Sequence, residues 1–299
     1  MNNIKKIFSI RDLENLSGIK AHTIRIWEKR YNLLSPERTD TNIRTYSLSS
    51  LQKLLNISLL NKNGYKISKI AKIPEDEIAI KVREIVSNKS MKNHILNAFK
   101  LSMINFDQTL FTNTYNGLLS ENSFREIFND FFIPLLNEIG LLWQTDTINP
   151  AHEHFITALI KQKILINIEK LQQIEPTSKD KTFVLFLPEG EIHDIGLLYV
   201  NYEILLRGYK SIYLGQSIPQ KNLAELLGYS DNICFLSYLT VAPTQEKVGK
   251  YIKNFGEIIK DYKNPNFWIM GKQTMHVDQT TLPEYIKIFT SIKDITNNL

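Results

Sequence analysis

The spacing of apolar residues predicts helices over the first part of the chain. One helix is expected from Phe8 to Leu16, because apolar residues recur there every three positions and Ser9 and Asp12 can cap its first turn. Ser17-Gly18 interrupts the pattern, and a second helix is expected from Ile19 to Tyr31. Two short helices joined by a glycine-containing turn are typical of a helix-turn-helix.

Longer helical patterns fill the middle of the chain. A helix is expected from Ser49 to Asn63, ending at Gly64, and Pro74 to Lys92 has the pattern of a linker or a short helix. Few glycines or prolines interrupt Met91 to Gln173, and apolar residues recur there at three and four, which predicts a bundle of four or five helices. One helix of the bundle is expected to begin at Asn149-Pro150, since proline is favoured in the first helical turn.

Short apolar runs alternate with helical stretches in the last third of the chain. Four strands are predicted: Phe183 to Leu187, Ser211 to Leu214, Ile233 to Ser237 and Phe267 to Met270. The helices between them are expected at His193 to Leu206, after Pro219, and at Thr244 to Tyr262. This alternation predicts a Rossmann-like, doubly wound parallel sheet. Ligands of such sheets bind beyond the carboxyl ends of the strands.

The positive charge is concentrated at the beginning of the chain. The 299 residues carry 36 Lys+Arg and 31 Asp+Glu, a net charge of +5, and 43% of them are hydrophobic, which excludes a wholly disordered chain. Residues 1–74 hold 14 basic and 5 acidic side chains, and the remaining residues hold 22 and 26. A basic head on a mildly acidic body indicates a polyanionic partner for the head alone.

Cysteine content and hydropathy exclude several classes of protein. The single cysteine, Cys234, lies in the apolar run Ile233 to Leu236 and is expected to be a buried strand residue. One cysteine allows neither an internal disulfide nor a thiolate-rich metal site, so sensing through thiolates is excluded. No window is apolar enough for a membrane span, and the start Met1 to Phe8 lacks the apolar core of a signal peptide. A soluble, cytoplasmic protein without a membrane partner is expected.

Three segments of the first 70 residues follow one another in a specific order and spacing: Thr23-Ile24-Arg25-Ile26-Trp27-Glu28-Lys29-Arg30-Tyr31, Leu33-Leu34-Ser35-Pro36-Glu37-Arg38 and Arg44-Thr45-Tyr46. On these segments the chain resembles the MerR family of transcriptional regulators. The resemblance implies a winged helix-turn-helix that binds a near-palindromic operator in double-stranded DNA as a dimer. The expected DNA contacts are Thr23, Arg25 and Arg30 on the recognition helix, with Arg44 and Tyr46 in the wing. Arg38 either contacts DNA or braces the wing.

The loop after the first strand of the predicted sheet reads Glu191-Ile192-His193-Asp194-Ile195-Gly196, an acidic residue, then His, then Gly. It lacks the Gly-x-Gly spacing of a dinucleotide site, and it resembles the cobalamin-binding signature of methionine synthase and related corrinoid proteins. A neutral imidazole is a good cobalt ligand, and Glu191 could hold its other ring nitrogen. The resemblance therefore implies that His193 is the lower cobalt ligand. Gly196 would let the backbone pass close to the corrin or its nucleotide tail.

Two later loops extend this resemblance, and a third departs from it. Leu214 to Pro219 and Ser237 to Leu239 fall where the family places its second and third loop motifs, so Ser237 is expected to contact the cofactor. The family has paired glycines after the fourth strand, whereas this chain has Gly271-Lys272. Gly271 is retained as a cofactor-binding residue. Lys272 either crowds the nucleotide tail or contacts its phosphate.

The order of the three segments resembles the cobalamin-dependent photoreceptor repressors of the CarH/LitR type. In that family a Trp and a Glu-His pair follow in the bundle, and here Trp143 precedes Glu153-His154 at the corresponding spacing. The resemblance implies that adenosylcobalamin is the cofactor, that Trp143 and Glu153 line the adenosyl pocket, and that His154 becomes the upper cobalt ligand after light cleaves the cobalt–carbon bond. Light would then dissociate a homo-oligomer, a dimer or a tetramer, from its operator.

Four segments and two alternative functions follow from these patterns. The predicted segments are a DNA-binding domain at 1–75, a linker at 76–92, a helical bundle at 93–175 that caps the upper face of cobalamin, and a Rossmann-like cobalamin-binding domain at 182–299. The main alternative is a MerR-type regulator whose degenerate cobalamin fold responds to an antirepressor protein without cobalamin or light. An enzyme is not expected, because corrinoid enzymes need a substrate domain, commonly a barrel, and no residues remain for one.

Overall fold

A computed structural model describes residues 7–84 and 88–299. The chain divides into two compact units, Met1–Ile160 and Lys161–Leu299, and the boundary falls inside a long helix. Residues 85–87 of the predicted linker, and Met1 to Lys6 of the segment compared with a signal peptide, lie outside the described residues.

The first unit begins with a small winged helix-turn-helix. Its elements are β1 (Ile7–Ser9), α1 (Ile10–Ser17), α2 (Ala21–Tyr31), β2 (Glu37–Arg38), β3 (Arg44–Ser47), α3 (Leu48–Lys62), α4 (Ile67–Ile70) and α5 (Glu75–Glu84). In β1, Phe8 pairs with Tyr46 of β3 and belongs to a strand, so the prediction that the first helix begins at Phe8 is wrong. The predicted cap is confirmed: the Asp12 amide donates to the Ser9 hydroxyl, and the Ser9 amide donates to the Asp12 carboxylate.

The predicted helical bundle follows in the same unit. Its elements are α6 (Asn88–Asn105), α7 (Gln108–Leu119), α8 (Phe124–Ile127), a π-helical turn (Phe128–Phe132), α9 (Ile133–Gln144) and α10 (Pro150–Gln172). Aromatic rings fill its interior, where Phe99 packs on Phe111 and Phe132 with ring centroids 5.2 and 5.7 Å apart. Pro150 occupies the first turn of α10, as the sequence predicted.

The second unit is an α/β domain that extends from the last turns of α10. Its further elements are β4 (Ser178–Pro188), α11 (Ile195–Leu206), β5 (Tyr209–Ile218), α12 (Gln220–Leu223), a 3₁₀ turn (Ala224–Gly228), β6 (Ile233–Tyr238), α13 (Gln245–Ile259), β7 (Phe267–Met270), two 3₁₀ turns (Lys272–His276 and Gln279–Thr281), β8 (Ile286–Phe289) and α14 (Ile292–Asn297). The four predicted strands are present, and β8 adds a strand that was not predicted.

In the described part of the second unit, five parallel strands form a sheet in the order β5-β4-β6-β7-β8. Alternate residues of β4 enter two separate hydrophobic clusters: Val184 and Phe186 face one layer, and Phe183 and Leu185 face the other. Helices therefore cover both faces, as expected of a doubly wound sheet. No helix in the described ranges is long and apolar enough to cross a membrane.

Candidate functional site

The strand order places a crevice between the carboxyl ends of β4 and β6. The chain passes from β4 to β5 on one side of the sheet and then returns to place β6 on the other side of β4. The connections after β4 and β6 therefore diverge at their carboxyl ends, and doubly wound sheets bind ligands at such a switch point. The segment Glu189 to Asp194 follows β4, and Leu239 to Pro243 follows β6.

Glu191 joins the two loops at this crevice. Its side chain is fully buried, and its Oε2 accepts hydrogen bonds from the amides of Thr240, Val241 and Ala242 at 3.0, 2.6 and 2.8 Å. Its Oε1 accepts from the amides of Ile192 and His193, both at 3.0 Å. A carboxylate with this many N–H donors can stay ionised without a neighbouring cation.

The pKa of Glu191 follows from these bonds. Burial alone raises the pKa of this carboxyl, but the amides of Val241 and Ala242 and the His193 side chain donate to the ionised form. The hydrogen bonds outweigh burial, so the pKa of Glu191 lies below its ordinary value. Glu191 is therefore a charged acceptor aimed at its neighbouring imidazole at neutral pH.

His193 presents one ring nitrogen to Glu191. Its Nδ1 lies 2.6 Å from Glu191 Oε1, while the side chain remains 46% exposed. Because Nδ1 is held by the carboxylate, Nε2 is the nitrogen that can bind a metal. A metal-binding histidine commonly has a carboxylate on its second nitrogen, which fixes the tautomer and strengthens the ligand. The donor set therefore fits a cobalt ligand, and it matches the predicted Glu191–His193 pair.

The end of β5 braces the same loop. Gly215 and Ser217 have positive φ angles of 83° and 57°, and the pairing of β5 with β4 is irregular here. The Gln216 side chain donates to the carbonyl of Ile192 at 2.8 Å, and the Ser217 hydroxyl accepts from the amide of Gly190 at 3.1 Å. The loop that carries His193 is thus held from β5 as well as from β6.

Three predicted cofactor residues have structural partners of their own. Ser237 is fully buried, and its hydroxyl donates to the Phe186 carbonyl across the sheet, so the predicted direct contact is not available to it. A Cβ on Gly196 would lie 2.5 Å from the Tyr238 ring. Gly196 is therefore required by the packing of Tyr238, and the predicted approach of a corrin is not needed to explain it.

Gly271 also has a local reason to be glycine. Its φ is 115°, and a Cβ there would lie 2.4 Å from the carbonyl oxygen of Leu239. The position directly follows β7, at the same edge of the sheet as the crevice, as predicted. The side chain of Lys272 is exposed.

The three residues predicted for the upper face of the cofactor belong to the first unit. Trp143 lies in the last turn of α9 and is 52% exposed, a large exposure for an indole ring. Glu153 and His154 lie in the first turns of α10, where Glu153 is half-buried and His154 is exposed. His152, which the motif passes over, is buried and stacks on Phe106 with ring centroids 4.8 Å apart.

The recognition helix α2 presents the predicted cations. Arg25 and Arg30 are exposed, and Thr23 is half-buried. The sequence did not reveal how the helix begins: Glu14 of α1 accepts from the Ala21 amide at 3.0 Å and pairs with Lys20 at 3.0 Å. A carboxylate at a helix N-terminus satisfies a free amide and favours the helix dipole.

Among the wing residues, Tyr46 alone departs from its predicted role in the described structure. The Tyr46 side chain is buried, and its hydroxyl donates to Glu28 Oε1 at 2.5 Å, so a direct contact with a DNA phosphate is wrong for this arrangement. Arg44 places its Nε 3.3 Å from Glu28 Oε2 and is partly exposed. Arg38 donates to the carbonyl and side chain of Asn42, which supports the bracing alternative.

Cys234 behaves as the sequence predicted. It is a free thiol, fully buried in β6, and burial raises the pKa of the thiol far above its ordinary value. Only a thiolate is an effective nucleophile or metal ligand. Cys234 is thus a core residue of the sheet.

Comparison with known families agrees with this architecture. The model of the MerR HTH family regulatory proteins matches residues 8–77, and a B12 binding domain matches residues 95–166, which lie in the helical bundle. The chain therefore combines a MerR-type helix-turn-helix with a B12 binding domain, which fits the transcriptional regulator that the sequence predicted.

Two curated relatives have a similar organisation. The chain is 24% identical to the HTH-type transcriptional repressor CarH of Myxococcus xanthus over 73% of this chain and 74% of CarH. It is also 24% identical to the repressor CarA of the same organism, over 70% of this chain and 68% of CarA. The fold resembles the monomethylamine corrinoid protein of Methanosarcina barkeri, with a TM-score of 0.56 at 12% identity, covering 69% of this chain and 97% of that protein. That likeness confirms the Rossmann-like fold.

Proposed function

We propose that this regulator represses transcription and senses light through bound adenosylcobalamin, releasing its operator when light changes its oligomeric state. The observation that carries the proposal is the imidazole of His193, held through Nδ1 by the buried, ionised Glu191 and exposed at the switch-point crevice. A histidine that is only a surface residue does not require a buried carboxylate to hold its ring. The arrangement orients Nε2 and increases its strength as a ligand.

We assign His193 as the lower cobalt ligand and Glu191 as the residue that orients it. The loop can hold this geometry because five backbone amides fix the Glu191 carboxylate. Gly271 belongs to the same edge of the sheet and is assigned to the surroundings of the cofactor. Ser237 and Gly196 shape the loop through Phe186 and Tyr238, so we assign them supporting roles.

Trp143, Glu153 and His154 are assigned to the upper side of the cofactor. Their exposure supports the assignment, since an exposed indole and imidazole are available to a ligand. Adenosylcobalamin supplies a cobalt–carbon bond that light cleaves. Trp143 and Glu153 would shield and hold the adenosyl group, and His154 would provide the second imidazole for cobalt once that group has left.

The DNA interface is assigned to α2 and the wing. Arg25 and Arg30 are exposed cations that suit phosphate and guanine, and Thr23 completes the helix surface. Arg44 lies next to Glu28 and keeps part of its side chain exposed, so it is assigned to the DNA backbone. Tyr46 supports these residues through Glu28. A near-palindromic operator would be bound by a homo-oligomer, with half-sites set by its symmetry.

The proposed signal is a shift between two assemblies. A ligand changes such an equilibrium only through its different affinity for the two states. Shifting a population from 99:1 to 1:99 requires about 5.5 kcal/mol of differential binding. One contact rarely supplies this much free energy. Loss of the adenosyl group must therefore alter several contacts between the cofactor and the protein.

The experiment compares the full chain in the dark and after illumination. Protein loaded with adenosylcobalamin in the dark should be coloured, should bind operator in a gel shift, and should change its mass in light scattering after illumination. His193→Ala should weaken cobalamin binding and alter its absorption spectrum, whereas His276→Ala, also an exposed histidine of the second unit, should do neither. Equal operator affinity before and after illumination of the loaded protein would exclude light sensing.

One observation favours a second candidate function. Lys272 occupies the place where the resemblance has a second glycine, and its side chain is exposed. A regulator with a degenerate cobalamin fold, controlled by an antirepressor protein, would tolerate this residue. Titration with cobalamin separates the two functions, because only the first predicts a saturable change in the cobalamin spectrum.

A further inference from the structure

We propose that Lys161 is a positioning residue for His193, acting through the carboxylate of Asp194. The inference rests on the proposed role of His193 as a cobalt ligand. Lys161 Nζ lies 2.5 Å from Asp194 Oδ2, and Asp194 directly follows His193 in the chain. This ion pair is not part of the Glu-x-His-x-x-Gly pattern of Glu191, His193 and Gly196.

Asp194 is where the loop becomes a helix. It is the residue before α11, and its carbonyl accepts from the Leu198 amide at 2.8 Å in the first helical turn. Moving Asp194 therefore moves the start of α11 and the backbone of His193 together. A group that fixes the Asp194 side chain also fixes the direction of the neighbouring imidazole.

The Asp194 carboxylate depends on a cation. The Asp194 side chain is 10% exposed. Within the described residues it forms one salt bridge, with Lys161, whose side chain is 37% exposed. The buried Tyr213 hydroxyl nearby has no hydrogen-bond partner in that part of the chain, so it offers the charge little compensation. Removing one partner of a buried pair leaves an uncompensated charge, which strains the surrounding structure.

The two acidic residues of this loop are held in different ways. Glu191 is satisfied by backbone amides and one imidazole, and it has no lysine or arginine salt bridge among the described residues. Asp194 has Lys161. Without Lys161, Asp194 would be free to move away from its place and shift His193, while Glu191 keeps the amide donors of Thr240, Val241 and Ala242.

The helix that carries Lys161 also carries residues assigned to the cofactor. Lys161 belongs to α10, the helix that carries Glu153 and His154 in its first turns. One helix thus carries both the cation that holds the ligand loop and two residues assigned to the upper side of the cofactor.

Lys161→Met in the full-length protein tests the proposal by two readouts. In the cofactor-free protein, the ring resonances of His193 in a ¹H–¹⁵N correlation spectrum should shift. The affinity of the Lys161→Met protein for cobalamin should fall about 10- to 100-fold, the range found when a residue that supports a metal ligand is replaced. Lys161→Arg should restore both readouts. Lys161→Met combined with Asp194→Asn should also restore them in large part, because the neutral amide needs no cation.

The control is an ion pair at the other end of α11 that also has a buried carboxylate. Arg207 lies 2.6 Å from Glu203 at the opposite end of α11, and Glu203 is 1% exposed. Arg207→Met should lower thermal stability without shifting the His193 ring or the affinity for cobalamin. The proposal is overturned if Lys161→Met leaves both readouts unchanged, or if Arg207→Met changes them equally.

Failure of the proposed function would look different. If the wild-type protein takes up no cobalamin, the cobalt role of His193 is lost. The ring resonances of the cofactor-free protein still report whether Lys161 orients His193 through Asp194. Should Lys161→Met prove unfolded, Lys161→Gln provides the same comparison, because it also removes the cation and keeps the Asp194 carboxylate.

Discussion

Glu28 holds two wing residues with one carboxylate, one through a hydrogen bond and one as an ion pair. Tyr46 donates to its Oε1, and Arg44 lies 3.3 Å from its Oε2. The sequence identified Arg44 and Tyr46 by residue type, but the direction of a side chain depends on what packs around it. The ring of Tyr46 is buried in the core of the head, so its hydroxyl bonds to Glu28 within the protein. The same limit explains Ser237, whose hydroxyl crosses the sheet to Phe186.

Tyr46→Phe and Arg25→Ala should therefore behave differently in operator binding. Tyr46→Phe removes one partly buried hydrogen bond and should lower the free energy of unfolding by about 1 kcal/mol. The salt dependence of operator binding should be unchanged in this variant, because no phosphate contact is lost. Arg25→Ala should reduce the slope of log K against log salt by about 1. Gel shifts across a salt series and urea unfolding measure both effects.

A reduced salt slope for Tyr46→Phe would contradict this assignment. It would show that the hydroxyl turns to the DNA backbone in the complex.

Helices and strands with a clear apolar pattern could be predicted from the sequence. Strands with a weak pattern, or with a conformation set by pairing with a distant strand, could not. The helix-turn-helix, the bundle and four strands follow from local patterns of about ten residues, and the structure has each of them. β8 is as short as β7, but Lys287 interrupts its apolar residues, so it lacks the continuous apolar run by which β7 was predicted. Phe8 stands next to the Ser9 cap at the start of the first predicted helix, whereas its pairing with Tyr46 of β3 places it in a strand. The predicted domain boundaries within residues 1–160 remain a prediction.

Glu14 links two elements of the head, because it belongs to α1 and caps α2. Amide and lysine hydrogen bonds, from Ala21 and Lys20, hold the pKa of Glu14 below its ordinary value. A carboxyl with a lowered pKa in the folded state adds stability above its unfolded pKa, about 4.3 for Glu, and that stability is lost as the pH falls through the folded pKa. Glu14→Gln should therefore be less stable at pH 7 by about 0.5–1 kcal/mol, the usual range for a helix cap.

Urea unfolding between pH 7 and pH 3 measures this difference. The gap between wild type and Glu14→Gln should narrow below about pH 4.3. Glu37→Gln, at an exposed position on β2, is the matched control and should leave the curve unchanged. A gap that stays constant over the whole range would show that the charge of Glu14 does not hold α2.

At the scale of the whole molecule, head and bundle share one compact unit. Asn15 of α1 donates to the Thr147 hydroxyl, in the loop after α9, at 2.8 Å. Lys100 of α6 is buried, and its Nζ lies 2.9 Å from Glu138 and 3.4 Å from the Leu16 carbonyl. An open cleft of about 400 Å³ lies beside these contacts. Polar contacts at this cleft thus help to join the two parts.

Lys100→Met should weaken this junction. The substitution leaves the Leu16 carbonyl and Glu138 without their buried donor, and it should lower the free energy of unfolding by about 1–2 kcal/mol. Lys92 is the matched control on the same helix, because it pairs with Asp130 in an exposed position. Lys92→Met should change stability by no more than about 0.5 kcal/mol. Equal effects from the two substitutions, measured by urea unfolding, would contradict a structural role for Lys100.

The boundary between the compact units has a consequence for digestion by proteases. It falls between Ile160 and Lys161, inside the 23-residue helix α10, and no loop separates the units there. Proteases cut extended, locally unfolded backbone and prefer exposed loop tips. Trypsin can reach Lys161 or Lys163 only after α10 has opened. The rate of cleavage at these two lysines would thus report how often α10 unwinds.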